Sequence, residues 1–101
     1  MIESHDYEVE LVNTGLKTGV LASAADGLPA VEVASPPEFG GPAGVWSPEH
    51  LFVGALSTCL MTTFRSIADA SGLEVIEYSD QASGHLQRGE DRLFSFPAVT
   101  L

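Results

Sequence analysis

The order of polar and apolar positions changes period twice along the chain. In Tyr7–Asn13 (YEVELVN) charged and apolar residues alternate, the two-residue period of a strand with one face covered. Thr14–Gly19 (TGLKTG) then has turn composition. A short apolar run follows, and Asp26-Gly27 supplies a strong local hairpin signal before the next strand, Leu28–Ala34 (LPAVEVA). The first third therefore predicts a β-meander. Ser35–Gly44 (SPPEFGGPAG) is a proline- and glycine-rich loop, too short and too closely flanked by apolar residues for a domain linker.

At Ser47 the pattern becomes helical. Ser47 suits an N-cap, Pro48 the first helical position, and Glu49 the positive end of the helix dipole. Gly72 suits the C-terminal cap. The interval Pro48–Ser71 predicts a helix of roughly 36 Å at about 1.5 Å per residue. Leu51, Phe52, Val53, Leu56, Leu60, Met61, Phe64 and Ile67 occupy most of its circumference, and a helix apolar all round is a buried one. The remaining residues, in short strands, cannot cover it. Helix-against-helix packing in a homodimer supplies the cover; the competing reading is a helix broken near Gly54 and only partly buried.

After Gly72, Leu73–Gln87 and Arg92–Leu101 read as strands joined by the polar segment Arg88–Asp91 (RGED). The fold class is α+β: an N-terminal β-meander, a long buried central helix, then further antiparallel strands, in one domain over residues 1–101. The end at Leu101, within an apolar strand pattern, reads as that of a C-terminally shortened domain.

Charge narrows the partners. The net charge is −10, with Lys17, Arg65, Arg88 and Arg92 the only lysines and arginines. Such a surface repels a phosphate backbone and an anionic bilayer, so neither nucleic acid nor membrane is expected as a partner. No stretch reaches 18 uninterrupted apolar residues, which on that criterion predicts no transmembrane helix. The first ten residues lack the basic and apolar regions of a secretory signal. A single cysteine makes no internal disulfide and fits a reducing cytoplasm.

That cysteine, Cys59, lies in the apolar helix, where a thiol is commonly structural. About three turns from the helix start, it is beyond the reach of the dipole, and a reactive thiolate there needs a cationic neighbour. Lys17 and Arg65 are the candidates; Arg65 projects from a different helix face. Glu49 precedes Cys59 by ten residues, about 15 Å along one helix. It is either a plain first-turn carboxylate or, across an antiparallel helix pair, a partner for the other chain's sulfur. His50 is separated from Cys59 in the same way, which disfavours a Cys/His hydrolase. No HxxxH or CxxC spacing suggests a metal, and no cofactor is expected.

The TGLKTG turn, the Asp-Gly hairpin, the SPPEFGG loop and SPEHLFVGALSTC, with Glu and Cys ten apart, resemble the OsmC-like family, which includes organic hydroperoxide resistance proteins. The resemblance is strongest over Thr14–Phe64. It implies an intertwined homodimer with active sites at the interface, and a thiol-dependent peroxidase in which Cys59 attacks an organic hydroperoxide, with Glu49 and the residue at Lys17 assisting. The family's turn carries arginine where this chain has Lys17, which keeps the charge and loses the planar fork. The family's resolving cysteine has no counterpart here, so an external thiol would be the reductant. The alternative is a non-catalytic dimeric module whose apolar cavity, walled by Phe39, Trp46, Phe52 and Phe64, holds an apolar small molecule. A dimer with no ligand is a third reading.

Overall fold

The computed structural model describes residues 2–23 and 27–101. It divides into two compact units, Met1–Pro48 and Glu49–Leu101.

The first unit is the expected meander. Strands β1 (Val9–Asn13), β2 (Thr18–Ser23) and β3 (Val31–Ala34) form an antiparallel sheet in the order β1-β2-β3. Leu11 pairs with Leu21, which also pairs with Val31. The TGLKTG turn is closed by its own polar groups. Asn13 Nδ2 donates to the carbonyls of Gly15 and Thr18, both at 2.9 Å, and Thr14 N–H donates to Thr18 O at 3.0 Å. This is the local side-chain-to-backbone bonding for which Asn favours turns. Of the expected Asp-Gly turn, Gly27 has φ 88°, whereas Asp26 lies outside the described residues.

Beyond β3 the loop folds on itself. Pro37–Phe39 makes one 3-10 turn, and Gly40 leaves it in the left-handed region at φ 84°. Gly40 and Gly41 donate back to Pro37 O and Pro36 O at 2.9 and 3.2 Å. The returning chain rejoins the sheet, where Ala34 N–H donates to Trp46 O at 2.9 Å.

The second unit is built on α1 (Pro48–Ala70). The helix is continuous through Gly54, so the expectation of an unbroken rod holds and the broken-helix alternative does not. It stops at Gly72, as its C-cap pattern predicts. Leu73 N–H donates to Ala68 O at 2.8 Å and Gly72 N–H to Asp69 O at 3.1 Å, with Gly72 at φ 74°. These are the two bonds of a Schellman motif.

Strands β4 (Ser83–Arg88) and β5 (Phe94–Thr100) form an antiparallel hairpin, irregular between His85 and Gln87. At its tip Arg92 N–H donates to Gly89 O at 2.9 Å and Arg92 sits at φ 65°, a turn followed by a left-handed residue. Gly84 permits the close approach of β4 to the helix, since a Cβ there would lie 2.7 Å from Val53 Cγ2.

One strand expectation is corrected. Leu73–Ala82 is irregular, and the strand begins only at Ser83. Alternation alone does not make a strand; a ladder needs a neighbour, and among the described residues β4 and β5 pair only with each other.

Neither unit has a substantial core. Among the described apolar residues other than proline and glycine, only Ala34 and Ala68 are buried, while Leu60, Phe64 and Ile67 of α1 are 40–62% exposed. The chain exposes 8362 Å². A compact 10.6 kDa protein exposes about 5,500 Å², and two separate compact bodies of half that mass about 6,600 Å². The expected shortage of internal cover for the helix is therefore real.

The membrane expectation also changes. At 23 residues α1 is long and apolar enough to cross a bilayer, although no uninterrupted run reveals it. One side of it packs on its own unit and carries a hydrogen-bonded serine.

Candidate functional site

At 100° per residue, Val53, Ser57, Met61, Phe64 and Ala68 of α1 form one stripe. This stripe packs. Val53 meets Gly84, Ser57 donates to Asp80 Oδ1, and the Phe64 ring is tilted on Tyr78 at 5.6 Å; Ala68 is buried. Cys59 is 160° from Ser57, on the opposite side, and is exposed. An apolar sequence neighbourhood suggested burial; within the chain, the thiol is open.

Two threonines approach Cys59, one at its sulfur and one at its carbonyl. Thr63 Oγ1 lies 4.0 Å from Cys59 Sγ, and Thr62 Oγ1 donates to Cys59 O at 3.1 Å. Glu49, on the same continuous helix, is about 15 Å from Cys59 along the axis, so a single chain does not bring them together. Glu49 Oε2 is shielded from solvent, and among the described residues no donor reaches it.

Lys17 belongs to the first unit. Its ammonium donates to Gly40 O at 2.6 Å, tying the TGLKTG turn to the SPPEFGG loop. An ammonium has three donors, and among the described residues Gly40 O takes one of them. The turn also borders a cavity of about 480 Å³ lined by Leu11, Leu16, Lys17, Val33 and Pro48.

The four candidate aromatic walls are divided between the units. Phe39 and Trp46, 46% and 55% exposed, lie in the first. Phe52 and Phe64 lie in the second, about 18 Å apart along α1. Phe52 stacks on Phe96 with centroids 5.0 Å apart. Phe52 and Phe64 thus each have an aromatic partner within their own unit.

Sequence reasoning missed the cluster at Asp80. Its carboxylate accepts from Ser57 and, at 2.8 Å, from Tyr78. The Ser57 bond, then the Tyr78 bond, hold the Asp80 carboxyl below its ordinary range; the bond to Asp80 pushes the Tyr78 phenol up. The depressed Asp80 titration gives stability that is present above the ordinary carboxyl range and lost as pH falls through the folded value. The thermal midpoints of the parent and Asp80→Asn proteins are therefore expected to converge as pH falls from 7 to 3. A constant gap over that range would show that ionised Asp80 contributes nothing. The only sequence signal was the pairing of Tyr78 and Asp80 two residues apart, which does not indicate Ser57.

No family model matches the chain, and no curated protein matches it. Solved structures do. An OsmC-like protein of unknown function from Vibrio cholerae has a TM-score of 0.83 at 22% identity, over 95% of this chain and 71% of its own. An organic hydroperoxide resistance protein from Elizabethkingia anophelis, with thiocyanate bound, scores 0.77 at 22% identity, over 98% of this chain and 69% of its own. An organic hydroperoxide resistance protein OsmC from Legionella pneumophila scores 0.72 at 22% identity, over 92% and 66%. The chain has the OsmC-like fold, and it spans about two thirds of the length of these neighbours.

Proposed function

We propose that the chain is a thiol-dependent peroxidase that reduces organic hydroperoxides through Cys59. The observation that carries the reading is the open position of Cys59 on the central helix of an OsmC-like fold. The names of two of the fold's neighbours support the substrate class.

The chemistry balances with one cysteine. The Cys59 thiolate attacks the terminal peroxide oxygen, an S–O bond forms and the O–O bond breaks. The alkoxide leaves and is protonated to the alcohol; sulfur loses two electrons and becomes a sulfenic acid. An external thiol condenses with it, releasing water and forming a mixed disulfide, and a second thiol frees Cys59. The reaction requires no cofactor. Lys17 supplies positive charge to the thiolate and Glu49 orients that charge; Phe39, Trp46, Phe52 and Phe64 hold the organic part of the substrate.

The working form is a homodimer. A second copy covers the apolar surface of α1 and brings Glu49 of one chain toward the sulfur of the other. Sedimentation is expected to give twice the 10.6 kDa chain mass; a monomer at micromolar concentration would remove this part of the reading. The reducing cytoplasm is the compartment that keeps a lone thiol available.

The assay is consumption of cumene hydroperoxide with dithiothreitol as the external thiol. Consumption no faster than by dithiothreitol alone, with the protein folded, contradicts the proposal. The apolar cavity beside Lys17 favours a second reading, a binding module for an apolar small molecule. Its mark is ligand binding unchanged in Cys59→Ser.

A further inference from the structure

We infer that the hydroxyl of Thr63 is a catalytic hydrogen-bond donor to the Cys59 thiolate, an inference that rests on the peroxidase reading above. Helical side chains lean toward the N-terminus, so residue 63 reaches back over the turn that carries residue 59. A helical threonine usually spends its hydroxyl on a carbonyl three or four residues back. The carbonyl of Cys59 is the acceptor in that position for both Thr62 and Thr63. Thr62 donates to it, at 3.1 Å. The Thr63 oxygen instead stands against the sulfur, at 4.0 Å.

This division of labour suits a thiol that changes protonation state. A hydroxyl both donates and accepts. Against the thiol, Thr63 accepts from S–H; against the thiolate, the rotor turns and donates. The donated bond favours the anion, which is the nucleophile, and directs a sulfur lone pair. It comes from the same helix as the sulfur and needs no loop to close. Thr63 thereby complements Lys17, whose ammonium is already engaged by Gly40 O.

The test compares the full-length chain with Thr63→Val, Thr63→Ser and Thr62→Val. Valine keeps the shape and deletes the hydroxyl; Thr63→Ala, a stronger helix former, replaces it if circular dichroism shows lost helix. The first readout is the rate of Cys59 alkylation by iodoacetamide against pH. The second is sulfenate formation with cumene hydroperoxide. Thr63→Val is expected to alkylate about threefold more slowly at pH 7, its pH profile displaced upward by about half a unit, since one unit is tenfold. Thr63→Ser restores the parent profile, and Thr62→Val leaves it in place. Coincident profiles for Thr63→Val and the parent, or an equal displacement in Thr62→Val, overturn the inference. A parent chain that forms no sulfenate while Thr63→Val still displaces the alkylation profile sinks the peroxidase reading and leaves the hydrogen bond standing.

Discussion

Cys59→Ser is expected to lower dithiothreitol-dependent consumption of cumene hydroperoxide by at least about a hundredfold. A serine hydroxyl stays protonated at neutral pH and is a poor nucleophile without an adjacent base. His50 does not supply one within the chain, being nine residues away along α1, about 13 Å. The substitution exchanges sulfur for oxygen at an exposed position, beside the Thr63 oxygen 4.0 Å away. Helix content and sedimentation should therefore match the parent. A Cys59→Ser protein that retains more than about a tenth of the parent rate would place the chemistry elsewhere in the molecule.

Gly41→Ala is expected to have the largest effect on stability. A Cβ at Gly41 would fall on the carbonyl group of Ser35, a backbone group that cannot swing away as a side chain could. Gly41 is not among the residues at positive φ, so the cost is steric rather than conformational. Relief requires opening the 3-10 turn, which breaks the bonds of Gly40 and Gly41 to Pro37 O and Pro36 O and displaces the Gly40 carbonyl from Lys17. Overpacking of this severity costs about 3 kcal/mol or more. Each kcal/mol lowers the midpoint of a domain this size by roughly 4–8 °C, so a fall of over 10 °C is expected. The proposed role of Lys17 further predicts that peroxidase activity falls with it, since the ammonium loses its fixed position. A change of less than about 2 °C would show that the loop adapts at little cost.

Much of the fold was legible because its signals are local. Alternation around Val9–Asn13 and the glycines of TGLKTG define a meander without reference to the rest of the chain. Ser47-Pro48-Glu49 and Gly72 bound the helix from its own ends. The irregular course of Leu73–Ala82 was not legible, because strand formation depends on a neighbour that alternation does not provide. The side of α1 that packs was hidden for a related reason. Apolar residues surround the helix, so its pattern did not separate the Val53–Ser57–Met61 stripe from the side bearing Cys59. Two polar ties, Lys17 to Gly40 O in the first unit and Ser57 to Asp80 in the second, join residues 23 positions apart, a separation at which the sequence carries no periodic signal.

The candidate site was read from the sequence as separate residues, without their assembly. Cys59, Glu49 and Lys17 stood out by residue type and position. The structure adds that Cys59 is open, that among the described residues no donor reaches a shielded oxygen of Glu49, and that Lys17 is held by a loop carbonyl. A homodimer would account for the first two together, by covering the sulfur and presenting a donor to the carboxylate.

Peptide mass spectrometry after treatment with one equivalent of cumene hydroperoxide in the presence of dimedone tests the central claim most directly. The account predicts a dimedone adduct on the peptide carrying Cys59, formed within seconds at neutral pH and absent when hydroperoxide is omitted. A folded protein whose Cys59 peptide is recovered as the unmodified thiol would contradict it.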